Sequence, residues 1–450
     1  MNRFLIKSSV VAALGGLLFG FDTAVISGAV SDLVSGFNLT AESLGFTVSS
    51  ALLGTIIGAL FASIPGERYG RRDSLRGLAV LYFVSSVGCA VAWDWHSLLL
   101  FRVVGGLAIG GSSVLGPMYI AEIAPARRRG WLVGFFQFNI VLGILLAYFS
   151  NYVINSFNLG ISEWRWMLGV AAGPAAFFFM MLFAIPRSPR WLIKQGRIDD
   201  ARNVLRLTEG DCEDEVSSII YSIKIERESG GESLFVRQHR LPIFLAISVG
   251  AFNQLSGINA VLYYLNYIFA SAGFGAVSSS QQAILVGATL LVFTVVGMVT
   301  IDLLGRRLLL LVGSLGTAAC LFGVALIFSV HKHEGLLLWL LMAFIAFFAV
   351  SQGAVIWVYI SEVFPNSVRA KGQSLGSFSH WTMNALISML FPMVAAVSGA
   401  YPFYFFGAMM IMQFLVVLYL YPETKGVPLE ELQRQLVQRR ATPEHVRDFK

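Results

Sequence analysis

One carboxylate interrupts the stretch GGLLFGFDTAVISG at Gly15–Gly28: Asp22 lies in a run that is otherwise almost wholly apolar from about Ser8 to Val30. A charge in such a place is costly unless it is paired, protonated or wetted. Asp22 sits about eight residues before the end of that run, a depth of about 12 Å at 1.5 Å per residue. Arg102 interrupts a second apolar run at a similar depth from the same side. A buried carboxylate and guanidinium at one depth are most economically a pair. Beside a guanidinium the charged acid is favoured, and alone among apolar groups the neutral acid is favoured. Separating the two therefore takes up a proton and re-pairing releases it; a static structural pair is the plainer alternative.

A second polar cluster stands in FNQLSGINAVLYY, where Asn253, Gln254, Asn259 and Tyr263 surround Gly257. Asn259 and Tyr263 are four apart and share one helix face. Primary amides donate and accept together, which matches the hydroxyls of a sugar. Gln137 and Asn384 lie in other apolar runs and are expected at the same cavity, with Trp357 and Trp381 as flat apolar walls. Aromatic walls with a few placed polar groups are how small-ligand sites are built. His380, next to Trp381, offers one donor and one acceptor on a rigid plane. Amides also join helices in lipid, and a histidine or tryptophan can simply pack.

The elements that hold these residues are membrane helices. The chain has 450 residues, 56% hydrophobic and only 13% charged, with a mean hydropathy of +0.71; soluble domains carry about 25% charged residues. Twelve runs approach the roughly 20 apolar residues a spanning helix needs: 8–30, 44–64, 74–93, 97–120, 131–153, 167–185, 241–270, 282–301, 308–330, 336–360, 373–396 and 401–421. The basic N-terminus runs into the first of these, which is too long for a signal peptide's apolar region and is expected to be retained. All Lys and Arg except Arg102, Arg165 and Lys332 fall on the side of the termini, which predicts both termini in the cytoplasm. The net charge of +6 has the same origin and does not imply nucleic acid. Cys89, Cys212 and Cys320 are widely separated and suggest neither disulfides nor a metal site. No nucleophile–base pair, metal cluster or phosphate loop is visible, so an enzyme and a bound cofactor are not expected.

The twelve runs divide six and six around a polar segment. The expected division is an N-terminal six-helix bundle over 1–186, a cytoplasmic helical linker over 187–240, a C-terminal bundle over 241–422 and a tail over 423–450. In the linker, Ser188 and Pro189 are placed to start a helix. The bundles repeat one another. GERYGRR at Gly66–Arg72 is echoed by IDLLGRR at Ile301–Arg307, and YIAEIAPARRRG at Tyr119–Gly130 by YISEVFPNSVRA at Tyr359–Ala370. Six helices per repeat return the chain to the same side, and parallel repeats with a site between them are an alternating-access architecture. Ion pairs among Glu67, Arg71, Arg72, Glu122 and Arg129 in the first half would tie helix ends together. Asp302, Arg306, Arg307, Glu362 and Arg369 would do so in the second. Such pairs would act as a gate, although topology-setting charge is the simpler alternative.

These strings, with SPRWL, NQLSGINAVLYY and PETKG, make the chain resemble a sugar porter of the major facilitator superfamily over nearly its whole length. The resemblance implies an all-α fold of two six-helix bundles, a mid-membrane sugar site and rocking of the bundles. It implies sugar contacts at Gln137, Gln254, Asn259, Trp357 and Asn384. It also implies proton coupling at Asp22, since symporters of the family resemble this chain there while passive facilitators often have Asn. Four positions depart from the family pattern: Arg187 and Asn253 replace a usual Glu and Gln, Leu303 a usual Arg, and Leu290 a common Asn. The expected function is proton-coupled monosaccharide symport by a chain acting as a monomer in a cytoplasmic membrane bilayer. The proton is the coupling ion, and the alternatives are a passive uniporter or a sugar sensor of the same fold.

Overall fold

The computed structural model describes residues 3–125, 129–209, 213–228, 233–365 and 368–425. Cys212, the side chain of Arg129 and the expected tail beyond Lys425 lie outside what it describes. Helices account for every regular element among the described residues. Eleven of them are long and apolar enough to cross a membrane, the first being Arg3–Phe37 and the last Tyr401–Leu420. The twelfth candidate is Arg71–Ala90, third in chain order. It is less apolar because Arg71, Arg72, Asp73 and Arg76 occupy its first turns. It nonetheless packs on Trp95–Ile123 and Ala172–Met181 as a member of the bundle.

Two of the helices are broken where the sequence holds its polar clusters. The seventh runs Arg240–Leu255, Ile258–Tyr263 and Leu265–Ser271. The break falls at Gly257, whose φ of +81° suits glycine. A Cβ there would also collide with the Phe406 ring. The tenth, Glu334–Glu362, contains a π-turn at Ala349–Gly353. Single π-turns inside α-helices displace backbone carbonyls from the regular ladder.

The two halves meet through the second helix on the eleventh, the fifth on the eighth, and the first on the broken seventh. Their apolar cores are distributed unequally along the bundle. On the side away from the termini, one cluster joins both halves, including Val30, Leu44, Tyr148 and Trp164 with Tyr263, Leu290, Phe344 and Trp381. On the side of the termini the core is divided. Leu5, Tyr119, Phe136 and Ile185 belong to a cluster of the first half, and Leu245, Leu310, Ile356 and Tyr421 to a cluster of the second. The halves are therefore closed against each other on the far side and parted on the side of the termini. Polar bonds reinforce the closed side: Tyr148 donates to the Leu262 carbonyl at 2.9 Å and Asn155 to Ser280 at 2.6 Å.

The linker begins with Ser188 capping Pro189–Lys194 through the Trp191 N–H. It continues as Ile198–Glu209 and Glu213–Glu228, with a small core of Trp191, Leu192, Leu205, Val216 and Ile223.

Candidate functional site

Arg102 is 4% exposed and its Nη1 donates to both oxygens of Asp22, at 3.1 and 3.3 Å. Its buried Nε has no partner among the described residues. The pair lines a cavity of about 10 Å³ together with Phe19, Thr23 and Tyr263, about the room that one water needs. Tyr263 belongs to the second half. Its hydroxyl accepts from Asn384 Nδ2 at 3.2 Å, and Ser388 donates to Asn384 Oδ1. A single tyrosine thus touches both the Asp22–Arg102 cavity and the amide cluster.

The amides of the seventh helix form a directed chain. Asn259 Nδ2 donates to Gln254 Oε1 at 3.1 Å, Gln254 Nε2 to Asn253 Oδ1 at 3.2 Å, and Asn253 Nδ2 to the Gln352 carbonyl at 3.3 Å. The last acceptor is a backbone carbonyl of the π-turn and cannot donate. It therefore sets the orientation of Asn253, then Gln254, then Asn259, and leaves Asn259 Oδ1 as the acceptor at the open end. Gln254 Nε2 also lies 3.2 Å from His380 Nε2, so the ring nitrogen facing it carries a lone pair. His380 packs between Trp357 and Trp381, each 5.1 Å away between ring centroids. Trp357 is 39% exposed, whereas Trp381 is buried and lies against Phe19 of the first helix. Gln137 is half-buried and makes no hydrogen bond among the described residues, so no contact ties it to this cluster.

The charged motifs form two matching constellations at the ends of the bundle near the termini. In the first half Arg71 holds Glu122 at 2.9 Å and the Gly66 carbonyl at 2.8 Å, while Ser188 donates to Glu122. In the second Arg306 holds Glu362 at 2.9 Å, Asp302 at 3.1 Å and the Ile301 carbonyl at 3.2 Å, while Thr424 donates to Glu362. Tyr119 and Tyr359 donate to the carbonyls of Pro186 and Pro422. Gly70 and Gly305 make the same positive-φ turn, at +88° and +86°.

Four expected gate residues are placed differently. The Glu67 side chain is exposed, and among the described residues only its carbonyl is used, by Trp191 Nε1. Arg72 turns to Asp73 and the Ile185 carbonyl instead of a carboxylate on another helix. The Arg307 side chain reaches the Leu418 carbonyl. Nε and Nη2 of Arg369 are buried without a partner among the described residues. The physical reason is that the carboxylates at the clusters, Glu122 in the first half and Glu362 with Asp302 in the second, are already taken by Arg71 or Arg306.

The sequence reading missed three participants. Glu423 accepts from the Arg306 and Arg307 N–H groups at 2.9 and 3.0 Å, capping the ninth helix. Burial alone would raise this carboxyl, but the N–H groups of Lys425, Arg306, Arg307 and Thr424 outweigh it and hold it below the usual range. Ser188 and Thr424 are the other two. The signal was present as a third echo, Pro186-Arg187-Ser188 against Pro422-Glu423-Thr424.

The profile of the family described as "Sugar (and other) transporter" matches residues 8–436. The chain is 37% identical to the D-xylose-proton symporter of Escherichia coli (strain K12), covering 96% of each sequence. It is 35% identical to the arabinose-proton symporter of Bacillus subtilis (strain 168), covering 96% of this chain and 95% of that one. Its structure is similar to the partially occluded inward open conformation of the xylose transporter XylE from E. coli. The TM-score is 0.85 at 35% identity, over 94% of this chain and 99% of that one. Against XylE bound to 6-bromo-6-deoxy-D-glucose the TM-score is 0.80 at 36% identity, over 97% and 100%. The chain belongs to the sugar porters of the major facilitator superfamily, a family of transporters.

Proposed function

We propose that this chain carries a monosaccharide together with a proton across the cytoplasmic membrane, by alternating access between its two halves. Relatives named as xylose-proton and arabinose-proton symporters favour a pentose as cargo and the proton as coupling ion. The observation that carries the reading is the position of Tyr263. It lines the Asp22–Arg102 cavity and bonds Asn384 in the amide cluster, so occupancy of one place is felt at the other. Asp22 takes the proton when Arg102 leaves it, and Arg102 releases it on return. Gln254, Asn259 and Asn384 read hydroxyls, with Asn253 orienting Gln254 and with Trp357, Trp381 and His380 as walls. Gln137 completes the site from the first half once the halves close on a sugar. Arg71–Glu122 and Arg306–Glu362 hold helix ends within each bundle, the bundles being 1–186 and 241–422, and both termini face the cytoplasm. The test is uptake by proteoliposomes from a panel of pentoses, hexoses and polyols with a pH dye inside. Sugar entry down its gradient should acidify the lumen. Entry with no proton signal would make the chain a uniporter.

A further inference from the structure

A short chain of hydrogen bonds leads from the eleventh helix to the Asp22–Arg102 pair. On that helix, Arg369–Val397, Asn384 and Ser388 lie one turn apart and are wholly buried. Ser388 donates to Asn384 Oδ1 at 3.2 Å, and Asn384 Nδ2 donates to the Tyr263 hydroxyl at 3.2 Å. Among the described residues these are the only hydrogen bonds of the Asn384 side chain. Ser388 is itself fixed from the seventh helix. The Tyr264 hydroxyl donates to its carbonyl at 2.9 Å, and the Tyr264 ring stacks on Phe391. Successive tyrosines thus serve two ends: Tyr264 holds the eleventh helix, and Tyr263 reaches the first half.

The direction of this chain decides where one hydrogen goes. Because Asn384 donates to Tyr263, the Tyr263 hydroxyl keeps its own hydrogen to give elsewhere. Tyr263 lines the Asp22–Arg102 cavity, where Arg102 offers donors alone. Thr23 already gives its hydrogen to the Phe19 carbonyl at 2.9 Å. The side-chain acceptors left there are the Asp22 carboxylate and the Thr23 oxygen, and hydrogen bonds to a charged acceptor are roughly twice as strong. Turned over, the Asn384 amide would present Oδ1 to Tyr263, which would then donate to it and not to the carboxylate. Among the described residues only the Ser388 hydroxyl selects the orientation observed.

We propose that Ser388 is a positioning residue for proton coupling: it orients Asn384 so that Tyr263 donates to the ionised Asp22, directly or through one water. The inference rests on the coupling role proposed above for Asp22. A hydrogen bond to the charged form of an acid favours that form. Its donor belongs to the second half and its acceptor to the first, so the bond lasts only while the seventh helix lies against the first. Withdrawal of Tyr263 removes it and favours the protonated acid. The other groups facing Asp22 are Arg102 of the fourth helix and Tyr82 and Cys89 of the third. The second helix contributes Val48, Ala51, Leu52 and Thr55, none of which titrates. Tyr148 of the fifth faces Tyr263.

The test follows the infrared C=O band of protonated Asp22 against pH in the detergent-purified protein, the band being the one that Asp22→Asn lacks. Tyr263→Phe removes the donor and should move the midpoint up by about one pH unit, the size of one hydrogen bond to a charged group. Ser388→Ala removes only the choice between the two amide orientations, so it should give a smaller shift in the same direction. The double variant should titrate as Tyr263→Phe does. Superimposable curves for wild type and Tyr263→Phe would assign the hydrogen to Thr23 and overturn the proposal. So would a Ser388→Ala shift that persists in the Tyr263→Phe background, since Ser388 would then act through packing. Proton-driven sugar uptake by wild type separates this inference from the reading beneath it. Its absence would overturn symport, while the band positions would still decide whether Ser388 and Tyr263 set the ionisation of Asp22.

Discussion

Arg102 is held by one carboxylate, with its Nε left unpaired among the described residues. Removing one partner from a buried ion pair typically costs about 3–5 kcal/mol, because the other charge is stranded. Arg102→Ala should therefore lower thermal stability near neutral pH more than Asp22→Asn does, since the amide leaves the arginine an acceptor. Thermal unfolding of both variants checks this order. For the amide chain, Gln254→Ala and Asn259→Ala should each weaken sugar binding by roughly 1–3 kcal/mol, the cost of a buried group left unsatisfied. Isothermal titration with the transported sugar measures it. The chain's direction makes a finer prediction. Because the Gln352 carbonyl leaves Asn259 Oδ1 as an acceptor, the hydroxyl it reads must donate. A deoxyfluoro sugar at that hydroxyl should bind as weakly as the deoxy sugar. Asn253→Leu, which removes the anchor, should lift the fluoro analogue relative to the deoxy one. The amides themselves were legible because polar residues stand out in apolar helices. Their direction was not, since it depends on a carbonyl 99 residues away.

Glu423 shows what an element boundary adds. Its carboxyl is held low in the folded protein by four N–H groups, although burial opposes them. A depressed carboxyl contributes stability that is present above its unfolded value and lost as pH falls through its folded value. Glu423→Gln should therefore flatten the decline in thermal stability on the acid side and leave less to lose. Melting curves from pH 7 downward test this. The motifs at these ends were legible because they repeat in order. Which partners they choose was not: Glu67 and Arg369 have the right types and spacing, yet among the described residues neither forms an ion pair. Spacing along one chain does not tell the rotation of one helix end against another. The seventh helix illustrates the same limit, since a single run of sequence folds as three segments turned at Gly257.

The halves of the whole molecule share one core on the far side and two on the side of the termini. Asn155–Ser280 and Tyr148–Leu262 help hold the far side shut. Asn155→Ala with Tyr148→Phe should shift the population toward opening on that side, read as longer spin-label distances across it. Twelve helices and their parity were legible from hydropathy, whereas the closed side was not, because both states use the same apolar residues. Under the proposed function, alternating access becomes active transport because the two movements are tied to a proton, and the proposed tie is Asp22. The direct measurement is sugar uptake by proteoliposomes containing wild type or Asp22→Asn, with an inward proton gradient and, separately, with sugar counterflow alone. Asp22→Asn should keep counterflow but fail to raise internal sugar above the external concentration. Accumulation by Asp22→Asn at the wild-type level would contradict the account.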